Sequence, residues 1–149
     1  MERLKELPLI RKIELFKELG EDQVMQILEL AFVKEYAVGT ILFNEGMNGD
    51  VMYAVLSGEA GIFKKNSEGQ EQLIKTAAPG DFFGEMSLIE NEMRSATVRI
   101  TKPSKMLVIT RRAFQRMIEV DVHITVRVLM NFLKVLSHRL RVATEKKSS

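Results

Sequence analysis

Between Phe32 and Ile109 the chain is cut by turn residues into apolar segments too short and too regularly spaced to be helices. The segments are Thr40 to Phe43, Val51 to Leu56, Ala60 to Phe63, Gln72 to Thr76, Ala96 to Ile100 and Met106 to Ile109. Between them stand Asn44-Glu45-Gly46, Asn48-Gly49-Asp50, Ser57-Gly58, Ser67-Glu68-Gly69 and Pro79-Gly80-Asp81. Glycine and asparagine accept positive φ and proline presets a turn, so such clusters end strands and reverse the chain. The pattern predicts a mainly β fold, an antiparallel sandwich or barrel over 32–109, flanked by helices. Upstream, Leu9, Ile13, Phe16 and Leu19 recur at helical spacing up to Gly20, read as a left-handed cap. Val24, Ile27, Leu28 and Ala31 then continue as a second short helix, so helices fill about 1–31. Downstream, Thr110 reads as an N-cap, Arg111 to Ile118 as a short helix and Val122 to about Glu145 as a long one, within 110–146.

Composition narrows the function classes. At 149 residues, with 46% hydrophobic and 28% charged residues, the whole of 1–149 reads as one globular domain. No cysteine is present, which excludes a disulfide framework, thiolate catalysis and Cys-ligated metal. The two histidines, His123 and His138, have no acidic neighbours at ligand spacing, so no metal site is expected. No apolar run reaches the roughly 18 residues of a membrane span, and the N-terminus lacks the apolar core of a signal peptide. A cytoplasmic protein without a membrane partner is expected. A net charge of +2 makes no case for nucleic acid.

The stretch from Phe83 to Val98, FGEMSLIENEMRSATV, carries the chemistry. Gly84 leaves the backbone bare where a short helix begins, so the amides of Glu85, Met86 and Ser87 are free to point at an anion, helped by the helix dipole. Arg94 supplies a planar, permanently charged fork to the same anion, while Glu85 accepts from a sugar hydroxyl. Residue types and spacing alone leave a bland alternative open, in which Glu85 and Arg94 form a structural salt bridge.

The complete string resembles the phosphate-binding cassette of the cyclic nucleotide-binding domains, the family of the bacterial catabolite activator proteins, the regulatory subunits of cyclic-AMP-dependent kinase and the cyclic nucleotide-gated channels. The resemblance rests on Phe83-Gly84-Glu85, Ser87-Leu88-Ile89 and Arg94-Ser95-Ala96-Thr97-Val98, and extends from about Leu9 to Lys146. It implies a double-stranded β-helix, or jelly-roll, barrel with a cassette over 83–98. It further implies that Gly84, Met86, Ser87, Arg94, Ser95 and Ala96 hold a cyclic phosphate and that Glu85 holds the ribose 2′-hydroxyl. Ile62 and Ile74 would wall the purine, and Arg139, Ala143 and Thr144 would approach the base from the final helix. Two residues depart from the activator pattern: Ala143-Thr144 replaces consecutive Thr and Ser, and Lys75 replaces a small polar residue beside the base wall. The implied ligand is cyclic AMP ahead of cyclic GMP, with no further cofactor.

In the final helix Val122, Val126, Leu129, Leu133, Leu136, Leu140 and Ala143 alternate in steps of four and three, and Val128, Phe132, Val135 and Val142 widen the apolar face. One stripe suffices to cover a barrel; the second predicts a homodimer through this helix. Arg127, Lys134, Arg139, Arg141, Lys146 and Lys147, against Glu145, must then turn outward. The chain ends at Lys146-Lys147-Ser148-Ser149, without the helix-turn-helix of the activators, so direct nucleic-acid binding is not expected. The sequence therefore reads as a regulatory sensor, not an enzyme, that repositions its C-terminal helix toward a downstream protein partner of open identity. The alternatives are a degenerate dimerisation module without ligand and, more remotely, a cyclic nucleotide hydrolase, for which no metal cluster or water base is evident.

Overall fold

The computed structural model describes residues 2–91 and 93–148, with side chains over 5–91 and 93–145. Three helical pieces come first: α1 (Glu2–Ile10), a 3-10 turn (Glu14–Phe16) and α2 (Glu21–Leu30). Six strands follow, β1 (Phe32–Tyr36), β2 (Ile41–Phe43), β3 (Val51–Lys65), β4 (Glu71–Ala77), β5 (Phe82–Phe83) and β6 (Thr97–Thr110), with a second 3-10 turn (Glu85–Leu88) before β6. The helices α3 (Arg111–Val120) and α4 (Val122–Ser148) complete the fold. Among the described residues no helix is long and apolar enough to cross a membrane.

All pairings are antiparallel, in the order β1-β6-β3-β4, with β2 also on β6 and β5 also on β3. Among the described residues β1 and β4 do not pair with each other, so the expected barrel is an open, strongly bent sheet. Four of the expected strands merge into two. Ser57-Gly58 is a bend inside β3, and the segments ending at Ile100 and starting at Met106 belong to one strand, β6. The register shifts at Val55/Ser57, Ser57/Glu59 and Glu59/Ala60 show why: extra residues bend the ladder without ending it. Gly58 sits at φ 89°, and a Cβ there would run into the Pro103 carbonyl and Ser104. Pro103, which has no N–H to donate, stands opposite this bend, and the Ser104 hydroxyl accepts from the Glu59 amide at 2.9 Å.

Two apolar clusters cover the two faces of the bent strands, as the period of two requires. Met52, Ala54 and Leu56 face the helices together with Ile10, Phe16, Leu28, Ile124 and Phe132. Val55, Val98, Ile100 and Met106 face the concave side with Phe83. Gly20 is not a left-handed cap: it is the extended N-cap of α2, and Glu18 takes the positive φ instead, at 70°. Thr110 caps α3 by accepting from the Ala113 amide at 3.0 Å.

α4 is fastened at its root by a polar clamp. Asn131, 5% exposed, donates through Nδ2 to the carbonyls of Leu15 at 3.0 Å and Lys17 at 2.7 Å. Arg127 pairs with Glu18 at 3.1 Å on the same side. The face turned to its own domain is Ile124, Thr125, Val128, Asn131 and Phe132, whereas Val122, Val126, Met130, Leu133 and Leu140 are exposed. Asn131→Ala strands two carbonyls beneath the helix and should cost about 2 kcal/mol of unfolding free energy in a urea titration. A loss under about 0.5 kcal/mol would show that the clamp is not holding the helix.

Candidate functional site

The concave face of the sheet and the second 3-10 turn enclose a cavity of about 470 Å³, within the usual range for small-ligand sites. Gly84 opens this turn in the left-handed region, at φ 75°, where a Cβ would stand 2.6 Å from the Arg94 guanidinium. The Ser87 amide closes onto the Gly84 carbonyl at 3.2 Å, so it is engaged, and the amides of Glu85 and Met86 lie ahead of the first helical bond. The helix expected here is a single four-residue 3-10 turn. Few peptide dipoles align in it, so the positive charge at the cavity is carried mainly by side chains, Arg94, Lys75 and Arg139.

Arg94 is 8% exposed. Its guanidinium donates to the Val51 carbonyl at 2.7 Å and to the Gly84 carbonyl at 3.4 Å, and lies 3.9 Å over the Phe43 ring. Tyr53 and Phe83, with ring centroids 5.5 Å apart, support Phe43 from below. Its other side rests on Gly49, where any Cβ would overlap the guanidinium. No carboxylate among the described residues pairs with it within 4.0 Å, and its Nε–H is a buried donor without an acceptor. Burial, with the nearby charge of Arg111, pushes the Arg94 pKa below its ordinary value, partly offset by Tyr53 and the more distant carboxylates of Asp50 and Glu85. A buried cation held only by carbonyls, a ring and one idle donor is an arrangement that an anion completes.

Glu85 lies across the cavity mouth, 12% exposed, and accepts from Arg139 of α4 at 2.5 Å. Arg139 also lies 5.4 Å over the Phe82 ring. The long C-terminal helix thus reaches the site at Glu85 and Phe82, and the salt bridge of Glu85 is with Arg139, not with Arg94.

Gly84, Glu85, Met86 and Ser87 come together at this cavity with Arg94, Ser95 and Ala96, and Ile62 and Arg139 close its far side. Three expected base contacts do not. Ile74 is 57% exposed, because Ile62 pairs with Lys75 and Phe63 with Leu73, which leaves Ile74 as the extra residue of a bulge. Lys75 lines the cavity in its stead. Ala143 and Thr144 lie beyond Arg139 on exposed turns of α4, away from the cavity, and the Thr144 hydroxyl donates to the Leu140 carbonyl of its own helix at 2.9 Å. Sequence reasoning missed the parts of Phe43 and Gly49 in seating Arg94. The Asn48-Gly49-Asp50 turn was legible, but not its position against Arg94. Among the described residues no group of three metal-ligating side chains is assembled.

The fold and this cavity define a class: a β domain with a cationic cavity of small-ligand size on its sheet and a long helix appended beside it. The model of the cyclic nucleotide-binding domain matches residues 33–121, and the chain belongs to that family. A solved cyclic nucleotide-binding domain from Methylobacillus flagellatus superposes with TM-score 0.84 at 25% identity, covering 97% of this chain and 82% of the other. The regulatory domain of Toxoplasma gondii PKA, solved with cAMP, superposes with TM-score 0.68 at 30% identity, covering 77% and 44%. An uncharacterized ABC transporter ATP-binding protein of Mycobacterium bovis is 42% identical over 77 residues, 52% of this chain and 23% of that protein. Human cGMP-dependent protein kinase 2 is 34% identical over 91 residues, 60% and 12% of the two chains. The chain spans under a quarter of the length of these curated relatives.

Because Arg94 leaves behind the carbonyls of Val51 and Gly84 but no buried carboxylate, Arg94→Met should cost no more than about 2 kcal/mol of ligand-free stability. Breaking a buried ion pair costs about 3–5 kcal/mol, and a denaturant titration giving such a loss would contradict this reading.

Proposed function

We propose that this chain is a cyclic nucleotide sensor, without catalytic activity of its own, that prefers cyclic AMP over cyclic GMP and signals by repositioning α4. The observation that carries the reading is the buried Arg94 guanidinium, which has no carboxylate partner at the cavity wall. A cyclic phosphate there would accept from Arg94 and from the amides at the start of the cassette turn, while the ribose 2′-hydroxyl donates to Glu85. Glu85 already accepts from Arg139 through one oxygen, and its second oxygen has no partner among the described residues. One carboxylate would then hold both sugar and helix, and ligand binding would favour the position of α4 in which Arg139 covers the site. The likeness to a kinase regulatory domain solved with cAMP supports cyclic AMP.

One observation favours cyclic GMP as the second reading. Lys75 lines the cavity opposite Ile62, and an ammonium only donates. The Hoogsteen edge of guanine presents two acceptors, N7 and O6, where adenine presents one acceptor and one donor. The 34% identity to a cGMP-dependent kinase points the same way. Calorimetry with both nucleotides decides the order: a tighter constant for cyclic GMP, lost in Lys75→Ser, would reverse it.

The reading includes a homodimer through α4. Val126, Leu133 and Leu140 are 52%, 57% and 69% exposed along one stripe, while the opposite face packs on its own domain. Arg127 and Arg139 are engaged by Glu18 and Glu85, which removes two of the repelling charges; the side chains of Lys146 and Lys147 lie outside the described residues. Leu133→Asp should yield a monomer that still binds nucleotide, and a monomeric native protein in light scattering at tens of micromolar would refute the dimer.

Arg94→Ala should weaken nucleotide binding by about 2–4 kcal/mol, with only partial recovery in Arg94→Lys. The 2′-deoxy nucleotide should bind worse than the ribonucleotide to the native protein, and the gap should shrink in Glu85→Gln. An unchanged dissociation constant for Arg94→Ala in calorimetry would overturn the assignment.

A further inference from the structure

A second arginine grips the back of the cassette. Arg111, the first residue of α3, donates through Nε to the Ser87 carbonyl at 2.7 Å, and through one terminal nitrogen to the carbonyls of Gly49 at 2.9 Å and Glu90 at 3.1 Å. Its own amide donates to the Asp50 carbonyl at 2.7 Å. No carboxylate among the described residues forms a salt bridge with it.

These acceptors belong to the cassette turn and to the loop before β3, which backbone bonds already join at the cassette's far end, from the Gly46 amide to the Arg94 carbonyl at 2.8 Å and from the Arg94 amide to the Met47 carbonyl at 2.6 Å. Ser87 lies in the cassette turn and Glu90 just beyond it, and both offer backbone carbonyls to the guanidinium. Gly49 and Asp50 belong to the loop against which the Arg94 guanidinium rests. Arg111 itself opens α3, which a single residue, Asp121, separates from α4. A guanidinium reaches three carbonyls in different directions because its donors are fixed in a plane; an ammonium of similar length would serve one or two.

On the reading that the cavity takes a cyclic nucleotide, we infer that Arg111 is a positioning residue. It sets the cassette turn at the height where Glu85 and the leading amides meet the ligand, and it carries displacement of that turn into α3 and hence α4. Arg94 faces the ligand from the front of the loop, and Arg111 ties the same loop to the helices from behind. The ligand never touches Arg111. Its role is to make cassette, loop and α3 one rigid piece.

The test is residue-resolved hydrogen exchange on the whole chain for native protein, Arg111→Ala and Arg111→Lys, first without ligand and then with cyclic AMP and cyclic GMP. The amides of Ser87, Ile89 and Glu90 close the cassette turn onto Gly84 and Met86. In ligand-free Arg111→Ala they should exchange about tenfold faster while β3 amides keep their native rates, and Arg111→Lys should restore part of the protection. With ligand, native α4 should gain or lose protection beyond Phe132, and Arg111→Ala should bind about tenfold more weakly and lack that change. Native cassette rates in Arg111→Ala would overturn the tether. Equal acceleration in β3 would overturn it too, by showing a general structural role. A native protein that binds neither nucleotide would overturn the ligand reading, while the ligand-free rates would still decide the tether.

Discussion

Everything at the functional end of this domain is arranged around a cation that the chain buries without neutralising. Arg94 is held by geometry: glycine at 49 and 84 gives it room, the Phe43 ring gives it a floor, and the carbonyls of Val51 and Gly84 occupy some of its donors. None of these contacts cancels a full charge, and burying a charge that nothing cancels is costly. The fold bears that cost because the rest of the sheet is well packed on both faces, with Met52, Val55 and Met106 fully buried. A site whose cation no protein carboxylate neutralises has binding energy in reserve for an anion.

The same economy of contacts governs the output. α4 has a polar clamp at its root, chiefly the buried Asn131 with the carbonyls of Leu15 and Lys17 beside the Arg127–Glu18 pair, and another contact at the site, Arg139 with Glu85. The clamp ties the helix to the N-terminal 3-10 turn. The Arg139–Glu85 pair is half-exposed and ends on the carboxylate proposed to hold the sugar. On the proposed function a ligand that engages Glu85 would act on the outer half of α4 while the inner half stays fastened, coupling ligand and helix both ways without a long chain of contacts.

How much of this could be read from the chain depends on how local each feature is. The cassette was legible because Gly84, Glu85 and Arg94 fall within one short string, and the left-handed φ of Gly84 is the conformation that a bare glycine anticipates. The order of helices and strands was legible from turn residues, and the N-cap at Thr110 from residue type. What failed is what depends on register. Ser57-Gly58 and the residues around Pro103 look like turns singly, but opposite each other they bend two paired strands and leave the sheet open. A single bulge reverses the parity of β4, turning Ile74 outward and Lys75 inward. The periodicity of α4 predicted apolar stripes but not which faced its own domain, because Asn131, a polar residue, lies at the centre of the buried face. Arg111 was invisible as a functional residue, since its partners are backbone carbonyls some 20 to 60 positions away.

The central claim is that the buried Arg94 Nε–H, which no protein acceptor among the described residues satisfies, donates to a cyclic phosphate. It can be followed directly as the side-chain Nε–H signal of Arg94 in a proton–nitrogen NMR spectrum, assigned by its absence in Arg94→Lys. On titration with cyclic AMP or cyclic GMP this signal should shift downfield, as a charge-assisted hydrogen bond requires, and become protected from exchange with water. A signal that stays in place while either nucleotide binds would mean that the anion is held elsewhere and that Arg94 serves only the fold.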